Sequence, residues 1–169
     1  GCMATQTITL AAPSPLDATL HSSPIRCYGE ENGIIDIAIT GPIAPYQYAL
    51  NERPFSDNHL FEGLSKGIYQ VHIQDKNGCA WEGQTEIIEP VELALSIEPD
   101  FAHLSLGDSI ELQANINSTN IASIYWTPND YMDCDSCQQM MVKPLSSLDY
   151  TAIVTDDAGC IAQNEATLR

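Results

Sequence analysis

The residues most able to do chemistry are six cysteines at 2, 27, 79, 134, 137 and 160, together with the aspartates and aromatics around them. Cys134 and Cys137 form the run CDSC, a spacing shared by redox dithiols, half of a structural zinc site and short loop disulfides. A redox dithiol sits at the start of a helix that follows a strand, and neither neighbour of CDSC reads that way. Zinc needs four ligands, and neither a second close Cys pair nor a suitably spaced His follows. A local disulfide is therefore the expected state of Cys134 and Cys137. Asp130, Asp133 and Asp135 crowd the same stretch, but lack the alternating Asp/Asn positions and glycine of a calcium loop. No cofactor is expected on these grounds; calcium, here or at module junctions, is the one ion the acidity would attract.

His21, His59, His72 and His103 are scattered, and His72 falls on the outward face of an alternating stretch, so solvated histidines are expected rather than catalytic ones. Nucleophile elbow, phosphate loop and metal-binding helix motifs are absent from the sequence, which points away from an enzyme. With 23 acidic against 6 basic residues the formal net charge is -17, which repels phosphate backbones and anionic lipid heads and excludes nucleic acid as a partner. No apolar run reaches the roughly 18 residues that would cross a bilayer, so membrane insertion by this segment is not expected.

These side chains must be positioned by strands. Ile35, Ile37 and Ile39 alternate with polar or small residues, as do Tyr69, Val71 and Ile73, and Ile110, Leu112, Ala114 and Ile116; period-two patterning puts one set on a core and the other in water. Weaker strand signals lie at 16–22, 46–50, 93–98, 124–127 and 140–142. Short strands with turn residues every eight to twelve positions predict an all-β chain of sandwich type.

One sentence is written twice. LSKGIYQVHIQDKNGC (64–79) returns 81 residues later as LSSLDYTAIVTDDAGC (145–160) without a gap. Each copy reads as a hairpin: a strand opened by Tyr69 or Tyr150, a turn with Asp and Gly, and a return strand that starts at Cys79 or Cys160. A tyrosine placed there is expected to return its hydroxyl to nearby backbone, as in the tyrosine corner of immunoglobulin-like sandwiches. Gly1-Cys2 to Pro13 has the same length as Gly78-Cys79 to Pro90, and the apolar residue eight after each cysteine is Leu10, Ile87 and Leu168 in turn. The chain is thus expected to open on the last strand of a truncated upstream module (1–18) and to continue with two tandem immunoglobulin-like β-sandwich modules (19–90 and 91–169), an excerpt of a longer array with proline linkers at AAPSP and IIEPVE. A lipidated cysteine at Cys2 is the competing reading, and the matched spacing disfavours it.

With the repeat defined, RCYGEENGIIDIAITG, PYQYAL and LSKGIYQVHIQDKNGC resemble the SprB-type repeat of giant surface adhesins in gliding Bacteroidetes and their relatives. Gly41-Pro42-Ile43-Ala44 departs from the adjacent glycines usual there. Residues 91–169, through LGDSIELQA, YWTP, CDSC and SLDYTAIVTDDAGC, are similar to immunoglobulin-like or PKD-like domains of type IX-secreted proteins in the same bacteria, except that Leu106 stands where relatives often carry a cysteine. The resemblance implies a Cys27–Cys79 bond, closing about 53 residues and contributing on the order of 4 kcal/mol in the chain-entropy model. Cys2 and Cys160 are left unpaired, with Cys134 or Cys137 as the alternative partner of Cys160. Bridges of this kind imply an oxidising exterior.

The resemblance further implies a non-catalytic structural and adhesive repeat at the cell surface, whose partners are neighbouring repeats of the same chain and an extracellular surface or glycan. Any local binding would use loops such as 51–61. The alternative is a carbohydrate-binding accessory module of a secreted enzyme, which calls for several coplanar exposed aromatics. Tyr28, Tyr46 and Trp81 are the ligand-contact candidates. Trp126 reads as sandwich core.

Overall fold

The computed structural model describes residues 2–4, 6, 14–41 and 44–169. The strand expected between Gly1 and Pro13, with Leu10, falls largely outside the described residues, as do Pro42 and Ile43 of the substituted turn. Thirteen β-strands make up the regular structure of the described residues. No helix among them is long and apolar enough to cross a membrane.

The chain divides into two units. Unit 1 holds residues 1–25 and 31–88, and unit 2 holds residues 26–30 and 89–169. This departs from the expected cut, which left 19–90 whole. The five residues that group with unit 2 include Cys27, which is bonded to Cys160 of that unit.

Unit 1 contains β1 (Asp17–Ser23), β2 (Gly33–Thr40), β3 (Tyr46–Leu50), β4 (Leu60–Leu64), β5 (Gly67–Asp75) and β6 (Ala80–Ile87). They form two three-stranded sheets, β1-β2-β4 and β3-β5-β6, with antiparallel pairing throughout. The alternating residues explain the layers. Ile35 and Ile37 of β2 and Leu64 of β4 turn toward Tyr48 and Leu50 of β3, Val71 and Ile73 of β5 and Ile87 of β6, and these side chains form one buried cluster. Each fully buried aliphatic side chain contributes roughly 1.5–3 kcal/mol relative to exposure. β4 is the strand that alternation did not reveal: LFEGL is short, its register against β2 shifts between Gly33 and Ile35, and Gly63 within it takes φ 68°.

Unit 2 contains β7 (Leu95–Glu98), β8 (Phe101–Ala102), β9 (Ile110–Ile116), β10 (Ile121–Thr127), β11 (Gln139–Val142), β12 (Leu148–Asp156) and β13 (Ile161–Leu168). One sheet runs β11-β9-β7 and the other β10-β12-β13-β8. Strand for strand the wiring is that of unit 1, with β8 added along β13 in the parallel sense. The chain leaves one sheet after Glu98 and enters the other at Phe101, so one edge segment serves both layers. Trp126 on β10 and Tyr150 on β12 are completely buried, and with Leu112, Met140, Val154 and Leu168 they centre the second core. A seven-strand, two-sheet sandwich with a buried Trp on one sheet and a buried Tyr beside it is immunoglobulin-like. Asp149, at the start of β12, faces Arg169, with Nη1 2.8 Å from Oδ1 and Nη2 donating to Oδ2 at 3.2 Å. Chiefly through that hydrogen bond, the guanidinium holds the carboxyl below its ordinary range.

Candidate functional site

The twice-written segment folds twice into one turn. Asp75 N–H donates to the Cys79 carbonyl (2.9 Å) and Gly78 N–H to the Asp75 carbonyl (3.0 Å); in the other copy, Asp156 N–H donates to Cys160 (3.0 Å) and Gly159 N–H to Asp156 (3.0 Å). The aspartate carboxylate completes each turn. Asp75 Oδ1 accepts from Asn77 N–H and Cys79 N–H, both at 2.8 Å. Asp156 Oδ1 accepts from Ala158 N–H (2.9 Å) and Cys160 N–H (2.8 Å). Gly78 and Gly159, at φ 83° and 86°, occupy the left-handed position that closes a three-residue hairpin loop, and a side chain there would be strained.

The cysteines at the end of these turns meet different fates. Cys160 is bonded to Cys27, with Cα atoms 5.5 Å apart, whereas Cys79 is exposed and carries a free thiol, as does Cys2. This corrects two expectations, the Cys27–Cys79 bond and an unpaired Cys160. The Cys27 loop groups with unit 2, whose hairpin carries Cys160, the residue it is bonded to. Within the loop, Glu30 N–H donates to the Cys27 carbonyl (3.1 Å) and Cys27 N–H to Glu30 Oε2 (3.2 Å). Glu89 Oε1 receives Gly29 N–H at 2.9 Å. The Arg26 carbonyl lies 3.5 Å from Cys160 Sγ, a van der Waals approach, since a disulfide sulfur has no proton to donate. Glu30 and Glu89 hold this loop, and the sequence reading missed them because nothing in their spacing marks them as its supports.

Cys134 and Cys137 are bonded to one another, and the loop they close is fastened to the buried tryptophan. Trp126 Nε1–H donates to the Cys137 carbonyl (2.8 Å) and Trp126 N–H to the Asp135 carbonyl (2.9 Å). The neighbouring acidic residues have structural duties. Asp133 Oδ1 accepts from Met141 N–H (2.8 Å) and the Asp130 carbonyl accepts the Tyr150 hydroxyl (2.8 Å). No grouping of three or more His, Cys, Asp or Glu side chains able to hold a metal ion occurs among the described residues.

The three ligand-contact candidates do not assemble into a platform. Tyr46 and Trp81 lie in unit 1, opposite Asp75 and Ile73 respectively, so register places both on the core-facing side of their sheet. Tyr46 donates its hydroxyl to the Gly41 carbonyl (3.0 Å). Trp81 packs against the unit 1 core and folds back over Gly83, where a methyl group would collide with the indole. Tyr28 belongs to unit 2 and is half exposed beside the Cys27–Cys160 bond, where Glu30, Glu92, Leu93 and Ile161 line a shallow groove with it. His72 Nδ1 lies 3.3 Å from Glu82 Oε1 on the outward side of the same sheet. His59 stands 4.0 Å from Asp36. His103 meets Phe101 edge to face, and His21 is exposed on β1.

The two tyrosines differ as the cysteines do. Tyr69 is partly buried and donates to the Ser65 carbonyl, four residues upstream, at 2.8 Å. Tyr150, fully buried, reaches Asp130, twenty residues upstream, and burial pushes its phenol pKa up.

Against known proteins, no curated sequence matches this chain. Among solved structures, the chain is similar to the eight N-terminal immunoglobulin domains of Down Syndrome Cell Adhesion Molecule isoform 1.30.30, with TM-score 0.45 and 11% identity over 92% of this chain and 25% of that one. It is also similar to a structure titled "Structural basis for Dscam isoform specificity", with TM-score 0.40 and 12% identity over 94% of this chain and 46% of that one. The chain therefore spans less than half the length of either. Within the sequence itself, residues 19–53 match the family model described as the SprB repeat, and that stretch contains Cys27 and its loop.

Proposed function

We propose that this chain is a non-catalytic structural and adhesive repeat segment of a large secreted bacterial surface protein. The observation that carries the reading is the pairing of an SprB repeat match over 19–53 with two β-sandwich units of one wiring in a single chain. The units supply folded length, and the disulfides suit an oxidising exterior. Type IX secretion and a role in gliding go with the same resemblance and belong to the proposal. The chain's partners are other repeats of the same polypeptide and an extracellular surface met through loops, with any glycan contact of this segment weak.

The rival, a carbohydrate-binding accessory module, depends on a flat exposed aromatic surface. Tyr46 and Trp81 are turned inward, which leaves Tyr28 without a companion from that set. The test is a glycan array with the full chain at high concentration. The expected result is no sugar bound more tightly than about 1 mM; a micromolar ligand lost on Tyr28→Ala would replace the structural reading with the carbohydrate-binding one.

A further inference from the structure

We infer that Cys79 is a docking point for the Cys-aromatic-Gly loop of the preceding repeat, joined to it by a disulfide of the kind that joins Cys27 to Cys160. The inference rests on the tandem-repeat reading and adds a covalent rule to it: the loop cysteine of one repeat bonds the hairpin cysteine of the next.

The molecule contains both states of one site. The hairpins agree in register to the residue, Tyr69 opposite Thr85 and Gln74 opposite Ala80 in one, Tyr150 opposite Ala166 and Thr155 opposite Ile161 in the other. Both cysteines donate their N–H to the turn aspartate at 2.8 Å, so the two sulfurs leave equivalent backbone. At Cys160 that position is occupied by residues 26–30. At Cys79 the sulfur is exposed and free.

Counting residue types fixes the direction. Among the described residues two hairpins carry such a cysteine but one loop does, because the residue 81 positions after Cys27 is Asp108. Cys27 passes over the hairpin of its own repeat and bonds that of the next, so by the same rule Cys79 takes a loop cysteine from the repeat before it. The loop closes its own turn, and Glu89 outside it takes the Gly29 N–H. The turn is closed by the Cys27–Glu30 hydrogen bonds in both directions and by the left-handed Gly29 (φ 79°), all within five residues.

Bond formation is thiol–disulfide exchange. The Cys79 thiolate attacks the loop sulfur of a mixed disulfide, a new S–S bond forms, and the former partner leaves as a thiolate that takes up a proton. The test uses the full chain carrying Cys2→Ser, so that Cys79 is the one free thiol, and the synthetic peptide SPIRCYGEE (residues 23–31), its cysteine capped with glutathione. A peptide of scrambled order with the same cap is the control. The Cys27→Ser chain, which frees Cys160, gives the reference value for an authentic site. Mass spectrometry at equilibrium against reduced glutathione is expected to show the matched peptide favoured over the scrambled one by roughly tenfold or more at Cys79, with a similar preference at Cys160. Equal exchange of the two peptides at Cys79 overturns the inference, whatever Cys160 does. The structural-repeat reading stands or falls separately, on the glycan measurement.

Discussion

The hairpins Tyr69–Cys79 and Tyr150–Cys160 share their turn, their register and the hydrogen bonds of their aspartates, yet the first holds a partly buried tyrosine and a free cysteine while the second holds a buried tyrosine and a bonded one. Local chemistry is conserved between the copies, and what differs is what each copy is packed against. A repeated motif therefore specifies its own loop closure reliably, but it does not specify the partners of the side chains that leave the loop.

The sharpest way to break the comparison is mechanical. If the bond to Cys27 is what sets the second hairpin apart, pulling the chain from its ends should extend only the 35 residues outside the span (1–26 and 161–169), about 120 Å at full stretch. Cys160→Ser should release the whole chain of 169 residues except the short stretch closed by Cys134–Cys137, about 580 Å, and Cys79→Ser should change nothing. Equal extension of the two variants in single-molecule force spectroscopy would erase the distinction. The same bond contributes about 5 kcal/mol in the chain-entropy model, against about 2 kcal/mol for Cys134–Cys137, because its loop is far longer.

The tyrosines give the next effect. Tyr150→Phe removes the part-buried hydrogen bond that a fully buried ring makes to the Asp130 carbonyl and is expected to lower stability by about 1–1.5 kcal/mol. Tyr69→Phe, whose Ser65 acceptor can turn to water, should lower it by about 0.5–1 kcal/mol. Denaturant titration of each variant orders the two, and a larger loss at Tyr69 would reverse the comparison. The smallest expected difference lies in the turns themselves. Asp75→Ala and Asp156→Ala each remove two acceptor contacts to backbone N–H groups, so each should lower stability by about 1–2 kcal/mol, and by the same amount within about 0.5 kcal/mol. A clear inequality would mean that the turns are less alike than their hydrogen bonds.

Much of this architecture could be read in advance, for identifiable reasons. Ile35 and Ile37, Val71 and Ile73, and Leu112 and Ala114 alternate because each strand has one wet face, and a period of two survives in a single sequence. Trp126 is at the centre of its core, where a mid-domain Trp in a sandwich sits. β4 stayed hidden because its register slips and a glycine interrupts it. The partner of Cys27 was illegible for a different reason: a disulfide depends on which loops meet in space, and spacing along the chain gives no measure of that. Trp81, a ligand-contact candidate by residue type, lies over Gly83 instead, a relation two residues apart that only the pleat makes intimate.

The Cys27–Cys160 bond also changes what a protease can accomplish. A cut in any loop between those positions, including the exposed stretch 51–59, leaves two polypeptide pieces that still share one covalent skeleton. At the proposed surface location, where digestive enzymes are met and resynthesis in place is not an option, a nicked copy would lose neither piece.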